Sequence, residues 1–320
     1  MNALTITALP SEKKGNHPTI YIASDSTAQT YSGYWKPQAG WGQMLPYFFH
    51  PDVSVQNHAI GGRSTKTFYN EGRMDTILRE IRPDDYLLIQ FGHNDATEWI
   101  PERYTPVDEY KEYLKDFVEG VRQRDGIPVL VTPVGRRDFN KDSGEFNVSF
   151  PEYVEGMKEV AVDLDVLLVD LSTLSRHFYN EIGPGATRDI FLHVEPGIYE
   201  AFPDGAADDT HFQEYGAVRI ADLLSEGIAN LHTPLADYTV DPYNSLSQLS
   251  EAFVGGEGLT RSLKKKLQEA KKSDEEGNYS ARDHQLDSYI NQVEAHAGKF
   301  ISQDHADILI KMAEKLREEK

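Results

Sequence analysis

Five short apolar runs, each cut off by small or polar residues and separated from the next by helical patterning, limit this chain to one class of fold. The runs are Thr19–Ala23 and residues 53–57, 86–91, 127–133 and 166–170. Most are rich in β-branched and large apolar side chains without strict alternation, as expected of strands buried on both faces. Between them lie amphipathic segments such as 104–124, where Tyr110, Tyr113, Leu114, Phe117 and Val121 share a face. Strands alternating with helices imply a parallel five-stranded sheet in a three-layer α/β/α sandwich. Ligands of such folds bind beyond the carboxyl ends of the strands, so the residues after each run are where function is sought.

The first run stops at Ser24-Asp25-Ser26-Thr27, and the second leads through Asn57-His58-Ala59-Ile60 to Gly61-Gly62-Arg63-Ser64. The third ends in Gly92-His93-Asn94-Asp95, and farther on comes Asp208-Asp209-Thr210-His211 ahead of a helical pattern. Taken singly, each has an ordinary explanation: Asp-Ser-Thr makes turns and N-caps, Gly-Gly makes tight strand-to-helix turns, and a loop histidine is commonly solvated. Taken together they supply the parts of acyl transfer. Ser26 offers a hydroxyl, His211 a base, and Asp208, three residues earlier, a carboxylate able to orient the imidazole. The N–H groups of Ser26 and Gly62 and the Asn94 amide could form an oxyanion hole. Such chemistry needs no metal and no organic cofactor. His58 and His93 have no carboxylate in a comparable pattern at short range in the sequence and read as structural.

The four blocks resemble those of the SGNH, or GDSL-type, hydrolases, over about residues 17–232. Within that superfamily Asp25-Ser26-Thr27, the block 57–64 and the block 208–212 look most like the rhamnogalacturonan acetylesterases of carbohydrate esterase family 12. The resemblance implies a flavodoxin-like SGNH fold and a serine esterase with Ser26, Asp208 and His211 as its catalytic residues. It also implies removal of O-acetyl groups from acetylated pectic oligosaccharides or polysaccharides through an acyl-enzyme. Ser24 departs from the glycine of the superfamily name, which affects the turn and leaves the nucleophile in place. A Gly-x-Ser-x-Gly elbow is missing, which separates the chain from ordinary α/β-hydrolases. Other readings remain: a GDSL lipase or thioesterase, an acetylesterase acting on another polysaccharide such as xylan, or a sugar-binding scaffold without catalysis.

An anionic galacturonate substrate fits poorly with a net charge of −20, so local arginines should matter; Arg63, Arg136, Arg137 and Arg188 are the candidates, with Trp35 and Trp41 as possible sugar platforms. The same charge argues against nucleic acid and anionic membranes as partners. Without cysteine there are no disulfides, thiolate metal sites or cysteine nucleophile. Residues 1–16 contain no apolar run of signal-peptide length and nothing later could span a membrane. The chain as written therefore reads as cytoplasmic, with secretion as the alternative; its oligomeric state is open. At 320 residues it exceeds one usual domain. Residues 17–232 read as the catalytic domain and 182–207, aperiodic and rich in Gly, Pro and aromatics, as a long active-site loop. Residues 233–258, with Pro234, Pro242, Gly255, Gly256 and Gly258, read as a linker. Residues 259–320 read as a small three-helix module, similar to those appended to some Gram-positive polysaccharide-active enzymes.

Overall fold

The computed structural model describes residues 17–318, so the leaderless reading of residues 1–16 lies outside the described residues. The chain divides into two compact units, one made of residues 17–46 and Pro51–Asp237 and the other of Tyr47–His50 and the chain from Tyr238 onward. The first unit is built on five parallel strands: β1 Thr19–Ala23, β2 Ser54–Asn57, β3 Tyr86–Ile89, β4 Ile127–Val131 and β5 Leu167–Val169. Their order across the sheet is β2-β1-β3-β4-β5, with Ile20 level with Val55 on one side and Tyr86 on the other. The chain moves outward from β1 to β2 and then reverses to β3, which opens a crevice at the carboxyl ends of β1 and β3.

Both faces of the sheet are covered. Tyr21, Ala23, Leu87, Ile89 and Leu130 join a core with Phe68, Ile77, Leu114, Phe117, Met157 and Val160. These come from the helices Thr65–Asn70, Arg73–Glu80, Val107–Arg122 and Pro151–Asp163. Ile20, Ile22, Leu88 and Val129, of the opposite parity, are equally buried, which explains why these runs do not alternate. Helix Glu214–Ala229 lies so close to β5 that a Cβ on Gly227 would stand 2.5 Å from Val169 Cγ1.

The expected irregular loop at 182–207 is only partly irregular. Helix Leu171–Ala186 runs into it with a kink at Gly183, and strand Phe191–Val194 pairs antiparallel with Ala206–Gln213. Polar residues such as Asp208, Asp209 and Thr210 mask this second strand, because positions that serve a site do not follow the apolar alternation of a half-buried sheet.

Among the described residues the second unit contains four helices: Pro242–Phe253, Glu257–Glu275, Tyr279–His296 and Gln303–Glu318. The first occupies nearly half of the expected linker. Pro242, read as part of a linker, starts it instead by standing in the first turn, behind an Asp241 cap that accepts from the N–H groups of Tyr243 and Asn244. Tyr243, Leu246, Leu249 and Phe253 then line its buried face. Buried Leu263, Leu267, Leu286, Tyr289, Leu309 and Met312 come from the other three helices. Segment Tyr47–His50 is clipped into this unit: Phe49 bridges Thr239, His50 N–H donates to Tyr238 O at 2.8 Å, and the Gln248 amide donates to Tyr47 O and Phe49 O. Among the described residues no helix is long and apolar enough to cross a membrane.

Candidate active site

Ser26 stands in the turn that leaves β1. Asp25 shapes this turn from within: its Oδ1 accepts from Thr27 N–H at 2.9 Å and from Thr27 Oγ1 at 2.8 Å, while Ala28 N–H returns to Asp25 O. Tyr31 OH donates to Ser26 O at 2.9 Å and ties down the next stretch of chain. Ser24 has a use of its own, since the Gln90 amide donates to its Oγ at 3.1 Å and to Thr27 Oγ1 at 3.0 Å. The departure from glycine therefore knits the end of β1 to the end of β3.

His211 arrives from a different element. Asp208 pairs with Leu192 and Phe212 with Phe191, so residues 209–211 bulge out of the antiparallel pair. The bulge folds Asp208 back onto the imidazole. His211 Nδ1 lies 2.7 Å from Asp208 Oδ2, and Asp208 Oδ1 accepts from the N–H groups of Thr210 and His211 at 2.7 and 3.0 Å. His211 Nε2 lies 2.8 Å from Ser26 Oγ. Burial pushes the Asp208 carboxyl up, but the imidazole beside it and the two N–H bonds overrule this and hold it well below the usual carboxylate range. An ionised Asp208 can only accept, so Nδ1 carries the proton and Nε2 is left to accept from the serine hydroxyl. Asp209 points elsewhere and takes His193 and Arg137.

Gly61 and Gly62 close over the serine. A Cβ on Gly61 would lie 3.5 Å from Ser26 Cβ and 3.1 Å from Gln29 Oε1, and Gly62 has φ of 78°. Close approach and left-handed backbone together call for two glycines. Asn94 is buried, with one amide hydrogen on Arg63 O at 3.0 Å. Among the described residues the N–H groups of Ser26 and Gly62 donate to no protein acceptor. Asp95 braces the arrangement by accepting from Thr65 N–H at 2.9 Å and Thr65 Oγ1 at 2.6 Å, which joins the turn after β3 to the helix that follows Gly61-Gly62.

Several sequence expectations about substrate contacts change. Trp41 is fully buried with its Nε1 on Gln90 Oε1 at 3.0 Å, so it is a core residue and no sugar platform. Trp35 is half-exposed, edge-on to Tyr34 and near the Phe202 ring. Arg63 is occupied by both oxygens of Glu71 and by Gly61 O, and Arg137 by Asp209, Thr187 and Pro184 O. Arg136 and Arg188 are exposed. His93, read as structural, meets a carboxylate from a distant stretch of the chain: its Nδ1 is 3.5 Å from Asp25 Oδ2, within ion-pair range but without a hydrogen bond. His58 likewise faces Glu80 at 3.7 Å. Sequence reasoning passed over the loop after Asp95, which carries exposed Trp99 and partly buried Arg103; a search of every loop at this sheet edge for aromatic and cationic residues would have found both. Among the described residues no three His, Asp or Glu side chains group to hold a metal ion.

The segments that converge here fall within a match to the GDSL-like lipase/acylhydrolase family that covers residues 25–218. The chain is 44% identical, over 69% of its length and 96% of the relative's, to the probable rhamnogalacturonan acetylesterase YesY of Bacillus subtilis (strain 168). It is 39% identical to the rhamnogalacturonan acetylesterase RhgT of the same organism, over 69% of this chain and 94% of that one. Among solved structures, that of Bacillus subtilis YxiM superposes with a TM-score of 0.60 and 29% identity, over 68% of this chain and 58% of the YxiM chain. With a family model spanning more than half of the sequence and two such relatives matched almost end to end, this chain belongs to the GDSL-like lipase/acylhydrolase family and is a carboxylic ester hydrolase.

Proposed function

We propose that the chain is a serine esterase that removes O-acetyl groups from acetylated rhamnogalacturonan by way of an acyl-enzyme. The observation that carries the chemistry is the continuous line from Asp208 Oδ2 through the His211 ring to Ser26 Oγ, with contacts of 2.7 and 2.8 Å. The names of YesY and RhgT support the substrate.

In this reading Ser26 Oγ attacks the acetyl carbonyl as its proton passes to His211 Nε2, and Asp208 stabilises the imidazolium that forms. The N–H groups of Ser26 and Gly62 and the second amide hydrogen of Asn94 take the oxyanion. His211 gives its proton to the departing sugar hydroxyl, and a water then repeats the cycle and releases acetate.

Replacing Ser26 by Ala is expected to lower hydrolysis of an aryl acetate by a factor on the order of 10⁴ or more while leaving the unfolding midpoint in place. Full activity in that variant would remove Ser26 as nucleophile. Acetate release from acetylated rhamnogalacturonan, xylan and chitin fragments tests the substrate, with rhamnogalacturonan expected to be preferred. A preference for xylan or chitin would overturn the pectic reading and leave the esterase chemistry standing.

A further inference from the structure

Cations near the serine are mostly occupied. Arg63 is held by Glu71 and Gly61 O, and Lys66 Nζ lies 3.3 Å from Pro101 O and 2.5 Å from Tyr104 O. Arg103 is different. Among the described residues its guanidinium makes no hydrogen bond and no ion pair, and its Nε is buried without an acceptor. This is unusual in a chain with 52 acidic and 32 basic residues, where surplus carboxylates are available to any arginine free to reach one.

The guanidinium is also in a definite place. Its Nη1 lies 3.6 Å from where a Cβ on Gly62 would be, and the neighbouring Gly61 packs against Ser26. Its backbone is fixed: Arg103 N–H donates to Ile100 O, Arg103 O accepts from Thr105 Oγ1, Thr105 N–H donates to Asp95 O, and Lys66 grips the carbonyls on both sides. A guanidinium carried on a backbone fixed this way, partly desolvated and, among the described residues, without an anion, is one half of a charge-assisted pair whose geometry suits a carboxylate.

We propose that Arg103 recognises a carboxylate on the substrate, so that the site takes an O-acylated sugar acid and reads its charge beside the ester to be cleaved. This deepens the rhamnogalacturonan reading and rests on it. It also answers how a strongly acidic protein admits an anionic saccharide: one local cation without a partner attracts what the net charge repels.

The test uses the full chain and measures inhibition of aryl acetate hydrolysis by oligogalacturonate and by its methyl ester, in wild type, Arg103→Gln and Arg103→Lys. Wild type is expected to bind the free acid about tenfold or more tighter than the ester, a preference that falls to near one in Arg103→Gln and returns in part in Arg103→Lys. The acid-to-ester ratio within one protein cancels any loss of folded enzyme. A wild type without preference, or a ratio unchanged in Arg103→Gln, overturns the proposal. So does a fall in kcat at constant ratio, which would assign Arg103 to the oxyanion. Acetate release from the polymer by wild type is scored separately. Release with an unchanged ratio in the variant rejects Arg103 and keeps the substrate; the ratio without release does the reverse.

Discussion

The turns after β1 and β3 stand side by side at the carboxyl edge of the sheet, and each hides a fully buried aspartate next to a residue of the proposed site. Asp25 precedes Ser26 and Asp95 follows Asn94, yet their carboxyls are driven in opposite directions. Burial raises both. At Asp25 it is outweighed by the His93 imidazole 3.5 Å away and by the two bonds from Thr27, so the group falls below the ordinary carboxylate range. Among the described residues Asp95 has no such neighbour: the bonds from Thr65 oppose burial, the charge of Asp25 adds to it, and the carboxyl is pushed up to about 7. Two adjacent buried carboxyls do not readily both ionise. The one given an imidazole holds the charge and shapes the serine turn, while the other works below neutrality as a hydrogen-bonded brace.

The comparison breaks most severely at Asp25. Asp25→Ala removes the acceptor of two Thr27 bonds and the buried carboxylate that faces His93, so a loss of about 3–5 kcal/mol in urea unfolding is expected. A displaced serine should also lower aryl acetate hydrolysis by about 10²-fold. Wild-type stability and rate in this variant would mean that the turn holds itself. His93→Gln is milder and makes Asp25 resemble Asp95. With the opposing group gone, burial should raise the Asp25 pKa and cost about 3 kcal/mol at neutral pH. The sign follows from linkage. In wild type the depressed carboxyl contributes stability above its unfolded pKa and loses it as pH falls through the folded value. In the variant the raised carboxyl carries a penalty that grows as pH rises. The two stability curves should therefore converge as pH drops below about 4, and a gap constant with pH would show that His93 acts through packing against Phe150 alone.

How much of this was legible in the sequence depended on whether the interactions were local. Buried parallel strands announce themselves as apolar runs, and Asp208 reaches His211 across three residues, so the sheet and the Asp208–His211 contact could both be read. The turns at Gly61-Gly62 and Asn94 were legible because their positions after strands send them to the same edge. Partners distant in sequence were not. Nothing near His93 points to Asp25, and an aromatic such as Trp41 carries no sign that Gln90 will take its indole N–H. Nothing in Tyr47–His50 announces that this stretch is claimed by the second unit through Tyr238, Thr239 and Gln248. The helix at 242–253 was obscured by reading Pro242 as a breaker when it stands just inside an Asp cap. Arg103 belongs to no motif; what sets it apart is the absence of a partner among the described residues, which only three dimensions disclose.

The gentlest change sharpens the comparison from the side of Asp95. Asparagine is nearly isosteric and its Oδ1 can accept both bonds from Thr65, so Asp95→Asn should fold as wild type does at pH 5.5. Wild type behaves differently as pH rises: its buried carboxyl keeps a proton that the unfolded chain has already released. Each pH unit between the unfolded value and about 7 therefore removes about 1.4 kcal/mol of stability from this group. Between pH 5.5 and 8 the variant should gain about 2 kcal/mol on wild type in urea unfolding, with the difference levelling off above neutrality. Parallel curves would mean that Asp95 ionises in the fold as readily as Asp25 does. The division of charge between the two turns would then fail at the group that carries no cation.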